Sequence, residues 1–286
     1  MNTVWNWIQP RPQNAHKGKF GFLTIVAGSS RYRGAASLAV RGALRSGAGI
    51  VCLASVESVI ASVASSVPEC TFLPLPLQQE TGTISENAAS LVLSEIPSAT
   101  AMLIGCGLGA NDNIAALTGN LIKNAACQLV LDADALNVLR DNKFLLRQLK
   151  TPAILTPHPG EMARLTGKSV AEICADPIAS AKAFSEAYRC VVVLKGHRTV
   201  IVSPDGRTEV NQTGNAGLAR GGSGDVLAGI ISSFAAQGIP PYEAAVSGVY
   251  LHGLAADRCA VRLSQTGMLP SDILTDLCSI FLENGR

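Results

Sequence analysis

Apolar residues in this chain occur in short continuous runs, separated by stretches with helical periodicity. The runs predict strands at Phe20–Ala27, Ile50–Ala54, Ala101–Gly105, Leu129–Asp132, Ala153–Thr156 and Cys190–Lys195. Stretches with apolar positions three and four apart predict helices at Ala35–Ser46, Ile114–Ala125, Ala135–Leu149 and Ile178–Tyr188. Because the strand runs are apolar throughout, both of their faces are expected to be buried. The pattern predicts an α/β fold with a mostly parallel central sheet covered by helices on both faces.

The last third of the chain follows a different pattern. Thr199–Val202 and Thr208–Val210 flank a Pro-Asp-Gly turn, which predicts a β-hairpin. Beyond Asp225 the pattern is helical nearly to the end, with Tyr242–Ala260 as a long amphipathic segment. The sequence shows no repeat and no linker long enough to divide it, and 286 residues suit one large α/β domain. We therefore expect a single domain over residues 1–286.

Composition narrows the classes of partner. Charged residues make up 15%, below the typical fraction of about 25%, so a homo-oligomer that buries surface between subunits is expected. A net charge of +2 argues against nucleic acid. The eight cysteines show no zinc or CxxC spacing and indicate core thiols in a reducing compartment. Met1–Gln13 has no leader pattern, and no apolar run approaches the roughly 18 residues of a membrane span. A cytoplasmic protein without a membrane partner is expected.

The segment from Asn215 to Gly229 carries the strongest chemical signal. Its glycines allow a tight turn with exposed backbone N–H groups, and a helix with an apolar stripe follows at once. Unpaired donors and the macrodipole at a helix N-terminus bind anions. The residues predicted to form this anion hole are Gly221, Gly222, Ser223 and Gly224.

Asp225 stands at the start of this helix. A carboxylate repels phosphate, so its expected task is to take a proton from, or to position, a hydroxyl that attacks a phosphoryl group held by the glycines. The alternative is that Asp225 is the N-cap of the helix after a glycine turn. The packed glycines favour phosphoryl transfer.

Loops after other strands bring small and acidic residues to the same edge of the sheet. Gly28-Ser29 either admits a ligand close to the backbone or forms a tight turn into a packed helix. Gly105–Gly109 differs by one position from a dinucleotide fingerprint and is interpreted as one wall of a phosphate-lined cleft. Asp132 and Asp134 are a candidate pair for magnesium bound through water, although Asp134 is more typical of a helix cap.

Two strand ends carry basic residues. His158 stands between two prolines that fix a rigid corner, so it is predicted to contact a ligand. With Glu161 it makes no metal motif, because no third ligand accompanies the pair. The segment Lys195–Thr199 begins with a lysine at the end of a buried strand. This position favours a contact with a nucleotide, and the alternative is a solvated strand end. Gly167–Ser169 is not a P-loop, because Met162 stands where that motif needs glycine.

Together these blocks resemble the ADP- or ATP-dependent NAD(P)H-hydrate dehydratases, a family with the ribokinase-like fold. The resemblance runs from about His16 to the last helix. It rests on blocks at His16–Gly18, Gly28–Ala36, Gly105–Gly109, Thr156–Glu161, Lys195–Thr199 and Asn211–Gly229. The family often has proline where this chain has Cys106. The resemblance implies a stand-alone dehydratase without a fused epimerase domain, and a tetramer.

The resemblance also implies a reaction and a role for each site residue. The S-epimer of NADHX or NADPHX would return to NADH or NADPH through phosphorylation of its hydroxyl by ADP or ATP, with Mg²⁺, and loss of phosphate. Asp225 would be the catalytic residue. The residues that would bind the nucleotide are Lys195, Gly196, His197, Arg198, Thr199 and Gly224. Those that would bind the hydrated dinucleotide are Ala36, Gly109, His158 and Asp225.

Two other functions fit part of the pattern. A small-molecule kinase of the same fold, acting on a hydroxyethylthiazole-type alcohol or a sugar, would share the glycine loop and Asp225. A nucleotide sensor would share the fold but would not need Asp225 as a base. The Gly105–Gly109 block and the small residues at strand ends favour a bulky dinucleotide. The choice between ADP and ATP, the preference for NADHX or NADPHX, the metal ligands and any separate epimerase partner stay open.

Overall fold

The computed structural model describes residues 4–286. Eleven strands are present in this part of the chain: β1 Phe22–Val26, β2 Ile50–Ser55, β3 Thr71–Pro74, β4 Leu77–Gln78, β5 Thr83–Ile84, β6 Ala101–Ile104, β7 Gln128–Leu131, β8 Ile154–Leu155, β9 Val191–Leu194, β10 Val200–Val202 and β11 Thr208–Val210. The six strands and the hairpin predicted from the sequence are confirmed, with bounds that differ by a few residues.

Twelve helices accompany the strands over the same residues: α1 Val4–Trp7, α2 Arg33–Arg45, α3 Glu57–Ala64, α4 Ala88–Glu95, α5 Asp112–Asn124, α6 Asp134–Asn142, α7 Pro159–Thr166, α8 Val170–Ala175, α9 Pro177–Tyr188, α10 Ser223–Ala236, α11 Pro241–Gly267 and α12 Ile273–Glu283. Short 3₁₀ helices lie at Lys17–Phe20, Lys143–Gln148 and Ala216–Leu218. The predicted helical C-terminal part is confirmed as α10 to α12.

Nine strands form one sheet in the order β11-β10-β9-β8-β7-β6-β1-β2-β3. Every pairing from β9 to β3 is parallel, whereas β10 pairs antiparallel with both β9 and β11. All residues of β6 and β9 are buried, although successive side chains point to opposite faces, so helices cover both faces. The mostly parallel sheet covered on both faces is therefore confirmed.

The chain order reverses at β1, which lies between β6 and β2. In an open parallel sheet, the loops beyond the carboxyl ends of the strands diverge at such a switch point and leave a crevice. The loops after β1, β6, β7, β8 and β9 all open toward this edge. One apolar core includes residues from Val4 to Ile280, and the single domain over residues 1–286 stays a prediction.

Several elements, α3 and α4 among them, were missed or misplaced by the sequence pattern. The edge strand β3 and the β4–β5 ribbon contain or adjoin prolines, which mask strand patterns. The predicted helix Ala135–Leu149 is wrong in part, since α6 ends at Asn142 and a 3₁₀ helix follows. The short helices α7 and α8 were read as loop and turn. Pro159 and Ser169 are helix starters that mark them in retrospect.

The eight cysteines are all free thiols, as the sequence predicts. Among residues 4–286, no helix combines the length and apolar character needed to cross a bilayer.

Helices α2 and α10 approach so closely that glycine is required between them. A Cβ on Gly229 would lie 2.1 Å from the carbonyl oxygen of Ala39, and one on Gly42 would lie 2.6 Å from that of Val226. Backbone atoms cannot move away as a side chain can. This contact fixes α10, whose N-terminus forms part of the site described below.

We therefore expect Gly229→Ala to lower the free energy of unfolding by at least about 2 kcal/mol, because the methyl group must push the two backbones apart. Gly119→Ala, in α5, is the matched control, since a Cβ there meets no atom within 4 Å. It should stabilise the protein by up to about 1 kcal/mol through helix propensity. Urea unfolding of the two variants checks the pair, and equal effects would contradict the role of the contact.

Candidate active site

A cavity of about 820 Å³ opens at the carboxyl edge of the sheet. It lies between the ends of β7 and β9, the N-termini of α7 and α10, and the middle of α11. Of the residues predicted from the sequence, it brings together His158, Lys195, Gly196, His197, Thr199, Gly221, Gly222, Ser223, Gly224 and Asp225. The volume suits a nucleotide-sized ligand.

The glycine segment enters α10 as predicted. Gly222 is the N-cap and has φ 99°, a left-handed conformation in which a Cβ would lie 2.6 Å from the Leu38 side chain. The loop before it is tied down by Asp257, which accepts hydrogen bonds from Gly214 N (2.9 Å) and Asn215 Nδ2 (3.0 Å). Glycine at 222 and the carboxylate at 257 together hold the helix N-terminus open toward the cavity.

Asp225 is the third residue of α10, so the N-cap position that the alternative interpretation gave it belongs to Gly222. Its carboxylate, the Asp132 carboxylate and the Cys106 thiol lie within 4.8 Å of one another. Burial, and next the charge of Asp132, raise the pKa of Asp225 to about 6, while the Cys106 thiol and the Lys195 ammonium oppose the rise. A carboxyl group with this pKa exchanges protons near neutral pH, as a general base must.

Lys195 meets an anion, as predicted, but in this structure that anion is a protein carboxylate. Its Nζ lies 2.9 Å from Asp132 Oδ1 and 3.9 Å from Glu161 Oε2. Thr156 Oγ1 donates to the same Asp132 oxygen at 2.6 Å. Burial alone would lower the pKa of Lys195, but the charges of Asp132 and Glu161 raise it above the ordinary value. The lysine therefore stays charged, and its contact with a nucleotide stays a prediction.

Asp134 does not cap α6, so that interpretation is wrong. The N-cap is Ala133, at φ 49°, and the Asp134 carboxylate accepts a hydrogen bond from Gly109 N at 2.8 Å. A positive φ at a non-glycine residue is strained by roughly 1–3 kcal/mol. The strained turn directs Asp134 toward the Gly105–Gly109 block, so this acidic residue shapes the loop after β6.

His158 is the N-cap of α7. Its Nδ1 accepts hydrogen bonds from Gly160 N (3.0 Å) and Glu161 N (3.3 Å), and Glu161 Oε2 accepts from His158 N (2.7 Å). Because Nδ1 is an acceptor, the neutral ring carries its proton on Nε2. The side chain is half exposed at the cavity. Capping explains the rigid corner, and the ligand contact stays a prediction.

Three predicted ligand residues lie outside the cavity lining. Arg198 is exposed beside it, and Gly109 is held by Asp134. The Ala36 side chain is fully buried, and a Cβ on Gly28 would lie 3.1 Å from it. This contact favours the tight-turn interpretation of Gly28. A substrate contact at these three positions stays a prediction.

His252 is a cavity residue that sequence reasoning missed. It lies inside the amphipathic segment predicted over Tyr242–Ala260, where no motif distinguishes it from a core residue. Burial lowers its pKa to about 4, and its Nε2 has no hydrogen-bond partner among residues 4–286. Ser223 Oγ is buried and unpartnered in the same part of the cavity. Both groups are polar atoms that a ligand could satisfy.

The acidic residues do not form a ready site for Mg²⁺. Asp132 Oδ1 is engaged by Lys195 and Thr156, and Asp134 Oδ2 by Gly109 N. One oxygen of each carboxylate is therefore engaged within the protein, the hypothesis that this pair holds magnesium through water stays a prediction, and no metal ligand is assigned. Mg²⁺ commonly enters such sites with nucleotide phosphates and several waters as its ligands.

Comparisons with known proteins agree with this architecture. The chain matches the family model for NAD(P)H-hydrate dehydratase over residues 23–278. It is 41% identical over 255 residues to the ADP-dependent (S)-NAD(P)H-hydrate dehydratase of Neisseria meningitidis, covering 87% of this chain and 81% of that protein. It is 39% identical over 286 residues to a bifunctional NAD(P)H-hydrate repair enzyme of Moorella thermoacetica, covering 99% of this chain. It spans about half of that relative's length, 54%.

Solved structures show the same likeness. The Bacillus subtilis ADP/ATP-dependent NAD(P)H-hydrate dehydratase, co-crystallized with ATP and Mg²⁺, superposes with a TM-score of 0.84 at 33% identity, covering 96% of this chain and 94% of that one. A ribokinase-like superfamily protein of Enterococcus faecalis superposes with a TM-score of 0.81 at 27% identity, covering 96% of this chain and 91% of that one.

The parallel sheet, the cavity beyond the ends of β7, β8 and β9 and the glycine-capped α10 thus define an α/β protein with the ribokinase-like fold. Within that class, the chain belongs to the NAD(P)H-hydrate dehydratase family.

The raised pKa of Asp225 predicts a pH-dependent cost in stability. The pKa of this carboxyl is about 6 in the folded state but about 3.9 in the unfolded state. The cost to folding is therefore absent below about pH 4, grows between about pH 4 and pH 6, and is complete above about pH 6. Asp225→Asn should raise the free energy of unfolding by roughly 3 kcal/mol at pH 8 and by about half as much at pH 5.

Urea unfolding at the two pH values measures this difference. Glu57→Gln, which removes an exposed carboxylate of α3, serves as the control for the loss of a carboxylate at the protein surface. If Asp225→Asn raises the free energy of unfolding equally at pH 5 and pH 8, the ionisation of Asp225 is not the source of the increase.

Proposed function

We propose that this chain catalyses the ADP- or ATP-dependent dehydration of the S-epimer of NADHX or NADPHX, which restores NADH or NADPH. Family membership supports the reaction, since relatives bear that activity in their names. The observation that carries the proposal is the arrangement at α10, where a helix N-terminus without a side-chain cap and an ionisable Asp225 face one cavity. The helix N-terminus holds the phosphoryl group that is transferred, and Asp225 deprotonates the hydroxyl group that accepts it.

The phosphoryl group is placed against the backbone N–H groups of Gly221, Gly222 and Gly224, whereas Ser223 N donates to Arg220 O at 3.3 Å. A Cβ on Gly224 would lie 3.5 Å from Lys195 Nζ, so the glycine loop rests directly beside a fixed positive charge. Amides and ammonium together stabilise the charge that moves onto the transferring oxygens. Ser223 Oγ, buried and unpartnered among residues 4–286, adds a hydroxyl donor at the same place.

Asp225 then acts on the hydroxyl at C6 of the hydrated nicotinamide. As the hydroxyl oxygen attacks the terminal phosphoryl group of ADP or ATP, its proton passes to the Asp225 carboxylate and the shortened nucleotide leaves. The lone pair of the ring nitrogen next expels phosphate from C6. A proton is lost from C5, and the ring double bond is restored. Each step conserves charge and atoms without a redox partner.

The remaining residues form two sides of the cavity. The nucleotide side comprises Lys195, Gly196, His197, Arg198, Thr199 and Gly224, with the backbone after β9 against the base or ribose. The dinucleotide side comprises His158, Gly109 and Ala36. Mg²⁺ accompanies the nucleotide phosphates, consistent with the ATP and Mg²⁺ in the Bacillus subtilis relative. His158, whose half-exposed ring lines the cavity, suits a phosphate or hydroxyl of the dinucleotide.

One assay separates this function from its competitors. The protein is incubated with enzymatically prepared hydrate, Mg²⁺ and either ADP or ATP, and the absorbance of reduced nicotinamide is followed. Recovery that depends on nucleotide supports the proposal. Consumption of nucleotide only with a hydroxyethylthiazole-type alcohol or a sugar indicates a kinase, and consumption with none of these substrates indicates a sensor. Running both nucleotides also decides the phosphoryl donor.

Asp225→Asn should lower kcat by about 10²–10⁴-fold, because proton transfer to a positioned base contributes that much. Nucleotide affinity, measured by calorimetry, should change little, since the glycine amides are intact. The wild-type kcat/KM should fall as pH drops through about 6, where the carboxylate becomes protonated. Turnover by Asp225→Asn within a few-fold of wild type would remove Asp225 from the chemistry.

We also infer a homo-oligomer in the cytoplasm, a tetramer by family resemblance. Sparse surface charge supports association, as do Val261 and Leu282, which are 91% and 80% exposed on α11 and α12. Eight free thiols support a reducing compartment. Light scattering after size exclusion should give a mass of several times 29.7 kDa, and Val261→Glu with Leu282→Glu should reduce it. A wild-type mass of one chain would overturn the inference.

A further inference from the structure

We propose that Cys106 is a positioning residue, whose buried thiol donates a hydrogen bond into the pair of carboxylates formed by Asp132 and Asp225 and so holds Asp225 ready as the base. The inference rests on the proposed function for its role in turnover. Its structural part, the coupling of the thiol to Asp225, stands on the geometry alone.

The backbone fixes Cys106 from both sides. Gly105 before it has φ 137°, and a Cβ there would lie 1.7 Å from the carbonyl oxygen of Asp132, so the loop presses directly on that residue. The Cys106 carbonyl oxygen accepts a hydrogen bond from Gly28 N at 2.8 Å. The side chain has no exposed surface. The thiol therefore has little freedom to turn away from the carboxylates.

The thiol lies where the two carboxylates meet. Its Sγ is 3.7 Å from Asp132 Oδ2, and the Cys106 sulfur and one oxygen each of Asp132 and Asp225 lie within 4.8 Å of one another. Asp132 Oδ1 is already engaged by Lys195 and Thr156. The other oxygen, Asp132 Oδ2, has the thiol as its neighbour.

A donor at this position is needed because two carboxylates side by side repel. Burial, and then the charges of Asp225 and Asp132, raise the pKa of the Cys106 thiol well above its ordinary value, so it keeps its proton. A protonated thiol can donate to either oxygen, although weakly. The other groups that act on Asp225 are Asp132 and Asp134, which raise its pKa, and Lys195, which lowers it.

A buried cysteine is most simply interpreted as a small apolar core residue. Cys190 is an example of such a cysteine. Cys190 is equally buried at the start of β9, and burial alone raises its pKa. Cys106 differs in facing two carboxylates. The two cysteines therefore form a matched pair, since removing either deletes one buried sulfur atom but only one deletion reaches Asp225.

The test is the protonation midpoint of Asp225 in Cys106→Ala, Cys106→Ser and Cys190→Ala. Cys106→Ala deletes the donor and should raise the midpoint of the acid limb of the kcat/KM pH profile by about 0.5–1 pH unit. Cys106→Ser restores a donor and should place the midpoint at or below the wild-type value. Cys190→Ala should leave it unchanged, even where it lowers the melting temperature as much.

The same midpoint is measured without turnover by NMR of protein labelled at the aspartate carboxyl carbons. The Asp225 resonance is the one missing from Asp225→Asn. If the chain shows no dehydratase activity, the proposed function fails while this titration still decides the role of Cys106. An unchanged midpoint in folded Cys106→Ala, or an equal shift in Cys190→Ala, overturns the inference. If Cys106→Ala does not fold, a midpoint above wild type in Cys106→Ser overturns it.

Discussion

The candidate active site depends on the buried ion pair between Lys195 and Asp132. Their charged atoms lie 2.9 Å apart at the ends of β9 and β7, which lie on either side of β8 in the sheet. Three carboxylates, at Asp132, Glu161 and Asp225, lie near this single ammonium. Without it, the uncompensated negative charges would disfavour both ionised Asp225 and a bound phosphate. A buried pair of this kind adds little net stability, so its value is the electrostatic balance that it maintains.

That balance links the sheet to the glycine loop. The ammonium that neutralises Asp132 also lies under Gly224, at the N-terminus of α10. Helix α10 is in turn held by the glycine contact with α2, so its first turn has little freedom to move. The helix dipole, the lysine and the open N–H groups therefore act on the same small volume. A phosphoryl group placed there meets preformed positive charge, and no charged side chain has to move to receive it.

Much of this arrangement was predictable because it depends on local patterns. Continuous apolar runs predicted the six parallel strands, and the glycines before Val226 predicted the helix N-terminus. The partners of charged residues were not predictable. Nothing in the local sequence of Lys195 specifies Asp132, 63 residues away, and nothing around Asp134 specifies Gly109. These pairings follow from strand order. The same applies to His252 and Asp257, which resemble other positions of an amphipathic helix until α11 is placed against the glycine loop.

Several residues that break local rules lie at the carboxyl edge of the sheet. Ala133 has a positive φ, Asp225 ionises at a cost to folding, and the His252 imidazole has a buried nitrogen with no partner among residues 4–286. These three residues line one cavity, and each costs stability that a single substitution could recover. Departures from local rules at a binding site are expected where the site's chemistry requires them. The stability lost at this edge is offset by the regular apolar core beneath it, and the regular core is also what holds strained groups in place.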